Sequence, residues 1–317
     1  MENIRRVQKT GGSTFTVSLP KKWAEARGLN AGSPAYVWEN PDGSLTMRTS
    51  RKTVRETRLV NTGTDEENAL RHVIAAYVSG VDTLIVKGAL AAAVSEEARL
   101  RLSALEIMEV AGDEVKLQVF HKGEVFTTDK SIRRLYSVVL AMFDSANAFF
   151  EGRVMGLEEI RRREQEADRL YFLVLRSAHK EEGSLHDALN KTLAAKTLED
   201  IADMLELACE EGKSIAPNPN VLKLLNDAES VYRSGFEALF LRKHFEKGFV
   251  AVKQLEEKLE RATESLMKDG RKAGHAIAMK GVLERLQAIT EYSEDLMEIG
   301  SNLIEFKEEG HSSPLKQ

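Results

Sequence analysis

The feature that most constrains this chain is an internal repeat between about residues 128 and 306. Acidic residues four positions apart form two pairs separated by 35 residues, and both pairs return 92 residues later. The pairs are Glu164 with Asp168, Glu199 with Asp203, Glu256 with Glu260, and Glu291 with Asp295. Gly156-Leu157 also aligns with Gly248-Phe249, although other identities between the copies are few. A repeat of this kind predicts two similar structural units.

Helical periodicity runs through both copies of the repeat. Apolar residues step by three and four from Ile132 to Phe149, which is typical of an amphipathic helix. The sequence predicts further helices at about 157–180, 184–213, 220–246, 248–269 and 272–307. Pro217 and Pro219 form a hinge between the copies. We therefore predict an all-α pair of three-helix bundles, at 128–215 and 219–309, followed by a disordered tail from Gly310.

The segment before the repeat, at 53–127, alternates strand and helix patterns. Strands are predicted at 57–61, 81–87 and 115–121, with 107–110 as a candidate fourth. Helices are predicted at 65–79 and 95–105. This order is typical of a small α/β or α+β domain. The segment has no phosphate loop and no G-x-G-x-x-G motif.

The first part of the chain, at 1–52, reads as short strands. Residues 13–19 alternate polar and apolar side chains after a Gly11-Gly12 turn, and a short helix is predicted at 21–27. Residues 35–38 and 44–47 flank Pro41-Asp42-Gly43, which is a hairpin pattern. A domain this small buries little apolar surface by itself. Dimerisation through interleaved strands would supply the missing core.

Charge is unevenly divided between this first part and the rest of the chain. Residues 1–55 contain ten Lys or Arg and four acidic residues, a net charge of +6, whereas the remainder carries −11. A basic segment on an acidic body suggests that only the segment meets a polyanion. Its candidate phosphate contacts are Arg5, Arg6, Lys9, Lys21 and Lys22. The alternative is a dimerisation domain with ordinary solubilising cations.

Other features narrow the class of protein. No apolar run approaches the ~20 residues that a membrane span needs, and the first residues lack the apolar core of a signal peptide. Cys209 is the single cysteine, so an internal disulfide is excluded, which suits a reducing cytoplasm. No Ser-His-Asp or Cys-His arrangement has a recognisable context. We expect a cytoplasmic protein that is not an enzyme and does not insert into membranes.

The acidic pairs are candidate metal ligands. Residues four apart share a helix face, where like charges repel and a hard cation reverses the cost. Pairs converging from neighbouring helices would make a multinuclear site of oxygen ligands. The alternative is that the pairs lie on solvated helix faces, because an acidic chain contains such pairs by chance. Four pairs in two copies with equal spacing strengthen the case for a metal site, and the spacing by itself leaves both alternatives open.

The repeat resembles PhoU proteins over about 180 residues. Residues 164–170 resemble the E-x-x-x-D segment of the family's second helix, residues 198–203 its L-E-R-I-G-D segment, and residues 291–295 the second copy of that segment. Asp200 and Ala202 stand where the family motif has Arg and Gly. The resemblance implies two three-helix repeats that bind iron, zinc or magnesium clusters and repress phosphate-uptake systems. It makes the eight paired acids the expected ligands.

The first part of the chain resembles the SpoVT/AbrB family over about 45 residues. The resemblance lies in Arg5-Arg6-Val7, the Gly11-Gly12 turn, Leu19-Pro20-Lys21-Lys22-Trp23 and Arg27-Gly28-Leu29. The loop around Gly12 is longer than in that family. The resemblance implies a swapped-hairpin dimer that presents Arg and Lys to DNA.

Together these features predict a multidomain, phosphate-responsive transcriptional regulator. The N-terminal dimer, or a higher homo-oligomer, would bind operator DNA, and the metal-binding helical repeats would bias its state. The middle domain would be a spacer or a ligand sensor. The alternative is an adaptor that docks on a phosphate transporter or its signalling partner, with an N-terminal domain that only dimerises. A metal-dependent hydrolase is the third reading, and nothing in the sequence supplies its nucleophile.

Overall fold

The computed structural model describes residues 4–39, 43–49, 57–120, 127–153, 156–180, 185–241, 245–268 and 273–309. They belong to two compact units, Met1–Val54 and Arg55–Gln317. Pro41 and Asp42 of the predicted turn, and the tail from Gly310, lie outside the described residues. The three predicted domain ranges stay predictions.

The N-terminal unit is built from hairpins. Its described elements are β1 (Gln8–Thr10), β2 (Thr14–Thr16), α1 (Lys21–Ala26), β3 (Tyr36–Glu39) and β4 (Leu45–Arg48). β1 pairs antiparallel with β2, and β3 pairs antiparallel with β4. Gly11 has a φ of 69°, in the left-handed region that favours glycine, and it makes the tight turn between β1 and β2.

None of the side chains described in the N-terminal unit is buried. Its two sheets have two strands each, and such hairpins are marginally stable alone. Large apolar side chains are instead exposed on both hairpins: Ile4, Val7, Phe15, Val17, Leu19, Val37 and Leu45. Phe15 is 68% exposed and Leu45 is 69% exposed. The described part of this unit therefore has no hydrophobic core of its own.

The second unit begins with an α/β part. Its elements are β5 (Thr57–Asn61), α2 (Glu66–Val78), β6 (Thr83–Lys87), α3 (Ala91–Arg101), β7 (Leu105–Ala111) and β8 (Glu114–Val119). The sheet order is β5-β6-β8-β7, with β5 and β6 parallel and the other pairs antiparallel. α2 and α3 pack on the sheet around a core that includes Val73, Leu84 and Leu117.

Helix α3 differs from its predicted range of 95–105. It begins at Ala91, because three successive alanines are strong helix formers that extend the helix upstream. It ends at Arg101, and Ala104 then takes a φ of 61° as the chain turns into β7. β8 corresponds to the strand predicted at 115–121, and the candidate strand at 107–110 lies inside β7, so the sheet has four strands among the described residues.

Long helices form the rest of the second unit, as predicted. They are α4 (Thr128–Phe150), α5 (Gly156–Lys180), α6 (Leu185–Glu211), α7 (Pro219–Phe236), α8 (Phe245–Lys268) and α9 (Ala273–Glu309). A shift of 92 residues places α4 on α7, α5 on α8 and α6 on α9, as the sequence repeat requires. The predicted helix at 220–246 stops at Phe236 and continues as a π-helical segment, Glu237–Leu241. None of the described helices combines the length and apolar character that a membrane crossing requires.

The two copies share one hydrophobic core. The helices of each copy contact one another, and α6 also packs against α9 and α4 against α7. Phe143 of α4, Tyr232 of α7 and Ile289 of α9 are all fully buried in the common cluster. Tyr232 also donates a hydrogen bond of 2.9 Å to the carbonyl of Tyr136 across the α4–α7 contact. Each copy therefore stabilises the other through buried apolar surface.

Helix α5 is also fastened to the α/β part. Asp82, Arg176 and Lys180 form a buried ion-pair cluster, in which both cations lie 2.6 Å from Asp82 Oδ1. Arg176 also donates to the carbonyls of Tyr77 and Val81, at 2.6 and 2.7 Å. One side of α5 therefore belongs to the interface with the α/β part. The sequence patterns do not predict this long-range contact.

A glycine of α9 allows the π-helical segment to approach closely. A Cβ on Gly300 would lie 2.7 Å from the carbonyl carbon of Ala238 and 2.9 Å from the amide of Leu239. We expect Gly300→Ala to lower the free energy of unfolding by about 1–3 kcal/mol, because backbone atoms must move. Urea denaturation would measure the change. Gly274→Ala is the matched control, since a Cβ there meets no atom within 4 Å. Equal effects in the two variants would contradict this account.

Candidate functional site

Three predicted ligands converge where α5 meets α6. Glu164 and Asp168 lie on α5 and Asp203 lies on α6, and one carboxylate oxygen from each falls within 4.8 Å of the others. We call these three residues the carboxylate centre. All three side chains are partly buried. The arrangement follows from helix geometry, because residues four apart share a face.

The local packing of both helices explains this position. α5 buries Ile160, Ala167, Leu170 and Val174, while α6 buries Leu198, Ile201, Ala202 and Leu205. The acids lie beside these apolar stripes, so packing the stripes together brings the acids to the edge of the core. Hydrophobic burial therefore holds like charges close together, although they repel.

The electrostatics of the centre reflect this forced proximity. Burial, reinforced by Asp168, raises the pKa of Glu164 to about 7. Burial, reinforced by Glu199, raises the pKa of Asp168 to about 6. Burial, reinforced by Asp168, raises the pKa of Asp203 to about 6. The ionised centre therefore lacks positive charge, which a proton or a cation would supply.

Glu199, the fourth predicted ligand of the first copy, borders the centre and is not one of its three converging carboxylates. Its Oε2 accepts a hydrogen bond of 2.5 Å from Lys196 Nζ. The same ammonium lies 2.6 Å from Asp200 Oδ1. Burial raises the pKa of Glu199, while the hydrogen bond from Lys196 opposes that rise. Glu199 is thus already paired with a cation.

Two residues at this site were missed in the sequence. Glu206 lies three residues after Asp203 on α6, and its charge contributes to the raised pKa values of Glu164 and Asp203, which burial dominates. The spacing of Glu206 from Asp203 could have revealed it in the sequence, because residues three apart also share a helix face. Arg101, from α3 of the α/β part, opposes the burial-driven rise in the pKa of Asp168. No local pattern could have revealed Arg101.

The structure does not bring the acids of the second copy together in the same way. Among the described residues, Glu256, Glu260, Glu291 and Asp295 form no group of three converging carboxylates. Glu260, Glu291 and Asp295 are exposed. Instead α9 turns Glu294 towards α8, where burial and the charge of Glu256 raise the pKa of Glu294. The second copy therefore differs from the first in which acid of its last helix lies near the acids of the preceding helix.

The five predicted DNA contacts are all exposed in the N-terminal unit. Arg5 and Arg6 precede β1, and Lys9 lies on β1 with its Nζ 5.9 Å from the ring centroid of Phe15. Lys21 and Lys22 begin α1, and Lys21 lies 3.7 Å from Glu25 one turn later. This ion pair is exposed, so a polyanion could displace Glu25 at little cost.

Comparison with known families supports one part of the sequence analysis. A family model described as the PhoU domain matches residues 132–211, which cover most of α4 and all of α5 and α6. The matched region contains the carboxylate centre, Glu199 and Lys196. A search of curated proteins finds no match. The PhoU resemblance is confirmed for the first copy, and it indicates a role in regulating phosphate homeostasis.

Proposed function

We propose that this chain is a cytoplasmic, dimeric, phosphate-responsive transcriptional regulator. The observation that carries the proposal is the division of the molecule into a basic N-terminal unit and acidic helices that contain a PhoU domain. The exposed cations of the first would neutralise DNA phosphates. The helices would report phosphate status, in keeping with the PhoU domain.

Dimerisation is supported by the missing core of the N-terminal unit. Seven large apolar side chains are exposed there and no described side chain is buried. A second copy of the chain, with hairpins swapped as in the SpoVT/AbrB family, would cover these side chains. It would also double the number of cations that face DNA. Ile4, Phe15 and Leu45 are the most exposed of these side chains and would bury apolar surface in such a dimer.

The carboxylate centre is proposed to hold a divalent or trivalent metal ion such as iron, zinc or magnesium. The fit rests on the donor set, since Glu164, Asp168 and Asp203 offer only oxygen ligands. Burial and, to a smaller extent, mutual repulsion raise the pKa values of these three carboxyls, and a bound cation would stabilise their ionised forms against both. The second-copy acids, Glu256, Glu260, Glu291 and Asp295, are proposed as weaker ligands. We assign no catalytic reaction to either set.

An adaptor remains the alternative function. It is favoured by the PhoU domain itself, because PhoU proteins act together with phosphate transport components. In this alternative the helices dock on a transporter or its signalling partner. The N-terminal unit then dimerises the chain without contacting DNA.

Binding to genomic DNA fragments separates the two functions. We expect saturable, sequence-selective binding that weakens steeply with salt, with a slope in log–log form of about −0.9 per phosphate contacted. The triple variant Arg6→Ala, Lys21→Ala, Lys22→Ala should lose at least roughly tenfold in affinity and show a shallower slope. Fluorescence anisotropy at several salt concentrations would measure both quantities.

A variant with the same loss of charge elsewhere provides the control. Lys253→Ala, Lys258→Ala, Arg261→Ala removes three exposed cations from α8. It should bind DNA like the parent protein. Absent binding, or equal losses in both triple variants, would reject the regulator and leave the adaptor.

A further inference from the structure

Lys196 occupies a position beside the carboxylate centre that resembles that of a bound cation. Its ammonium lies 2.5 Å from Glu199 Oε2 and 2.6 Å from Asp200 Oδ1. The ring centroid of Tyr171, on α5, lies 5.8 Å from the same Nζ. Two carboxylates and an aromatic face therefore line one side of the ammonium and attract its positive charge, while the Lys196 side chain is 46% exposed.

The acids of the centre and the acid beside it differ in whether they have an ion-pair partner. Among the residues that the structure describes, Glu164, Asp168 and Asp203 have no ion-pair partner, although their oxygens converge. Glu199 forms an ion pair with Lys196, and the side chain of Glu199 is only 12% exposed. The charge of Lys196 also opposes the burial-driven rise in the pKa of Asp203 and of Asp168, two of the three residues of the centre.

The repeat shows that this cation belongs to the first copy alone. A shift of 92 residues places Lys196 on Ala288 and Asp200 on Tyr292. Glu199 falls on Glu291, which accepts a hydrogen bond of 3.0 Å from the neutral side chain of Gln287. In the first copy, where the carboxylates converge, partly buried Glu199 is paired with a lysine, whereas its counterpart Glu291 in the second copy is paired with a neutral side chain.

We propose that Lys196 is a built-in counter-cation that limits the carboxylate centre to a single metal ion. The ion would bind Glu164, Asp168 and Asp203, while Lys196 stays paired with Glu199, the predicted ligand that a second ion would need. This inference rests on the proposed metal binding. It replaces the multinuclear site expected from sequence with one ion and one ammonium in the first copy.

The difference in charge between a second metal ion and the Lys196 ammonium explains why the centre would hold a single metal ion. A second divalent ion at Glu199 would stand close to the first, and their repulsion must be offset by additional carboxylates. Lys196 brings one charge instead of two and is tied to α6, so it needs no ion from solution. Its substitution by methionine would remove the charge and keep an unbranched side chain against Tyr171.

Metal stoichiometry tests the inference. Mn²⁺ would serve as the probe, because it favours carboxylate oxygens and its electron paramagnetic resonance distinguishes isolated from coupled ions. Equilibrium dialysis of the full chain should show that Lys196→Met gains one Mn²⁺ per chain relative to the parent, with a spectrum of coupled ions. Lys196→Arg should keep the parent stoichiometry, because it retains the charge. Circular dichroism would show that each variant is folded.

Control variants separate this inference from metal binding itself. Lys258→Met removes a lysine of the second copy whose Nζ lies 2.8 Å from Asp227 in the same copy. It should leave the number of bound Mn²⁺ ions unchanged. Asp203→Asn should remove the ion of the parent centre. If that ion is lost in Asp203→Asn but Lys196→Met gains none, the counter-cation is rejected and the metal centre stands. If the parent and Lys196→Met bind no Mn²⁺ that depends on Asp203, both proposals are overturned.

Discussion

Arg176→Met is expected to loosen the α/β part from α5 and to lower the free energy of unfolding by about 3 kcal/mol. Arg176 is 2% exposed and donates hydrogen bonds to Asp82 and to the carbonyls of Tyr77 and Val81. The substitution leaves these buried acceptors without one of their donors. The expected loss of stability lies at the lower end of the range for a broken buried ion pair, because Lys180 still neutralises Asp82.

Hydrogen exchange would locate the effect and urea denaturation would measure its size. Amides of α2 and of the segment leading into β6 should exchange faster in Arg176→Met, because the interface opens locally before the helices unfold. Arg134→Met is the matched control, since Arg134 forms an exposed ion pair of 2.9 Å with Glu166. The control should change stability by less than about 1 kcal/mol. Equal effects would show that the buried cluster does not fasten the α/β part.

Metal-free protein is expected to lose stability as pH rises from about 4 to about 7, and a metal ion should restore it. The folded pKa of Glu164, about 7, lies above its ordinary value of 4.5, and those of Asp168 and Asp203, about 6, lie above 3.8. Between the ordinary and the folded pKa, the folded state holds protons that the unfolded state has released. Stability is therefore present at low pH and lost as each carboxyl ionises in the fold.

Glu164→Gln should remove much of this dependence. We expect it to stabilise the metal-free protein near pH 8 by about 1 kcal/mol, a value reduced from the full shift because solvent screens a half-buried group. It should also abolish the gain in stability that Mn²⁺ gives the parent protein. Urea midpoints at about pH 5 and about pH 8, with a chelator or with Mn²⁺, would measure both effects.

An exposed acid of the second copy provides the matched control for this prediction. Glu257→Gln makes the same chemical change on α8, at an exposed acid that belongs to neither proposed set of metal ligands. It should leave the pH dependence and the response to Mn²⁺ near those of the parent. If Glu257→Gln matched Glu164→Gln, the effect would come from net charge and not from the carboxylate centre.

Both predictions change a residue of helix α5. This helix carries Glu164 and Asp168 of the centre, and one or two turns later Phe172 and Arg176 contact the α/β part. Ser103 of the α/β part also donates a hydrogen bond of 3.2 Å to the carbonyl of Arg169, next to Asp168. A change of charge at the centre therefore acts on a helix that is shared with the α/β part. A ligand sensor in that part could be linked to the centre by this route.

The sequence by itself determined the local structure. Amphipathic periodicity predicted the long helices, with the end of α7 as the largest error, because a helix that packs on a core must repeat its apolar residues every three or four positions. The equal spacing in both copies predicted that α4–α6 correspond to α7–α9. The same spacing placed Glu164 with Asp168, and Glu199 with Asp203, on single helix faces. All of these follow from relations between near neighbours in the chain.

Only the tertiary structure decided which of those faces meet. Helix packing joined Asp203 to the acids of α5 and left Glu199 to Lys196. The packing of α9 left Asp295 exposed, although its spacing in sequence equals that of Asp203. Arg176 reaches a partner 94 residues away in the chain. Such contacts depend on the relative rotation and register of packed elements, which the burial of apolar surface sets and which no local spacing encodes.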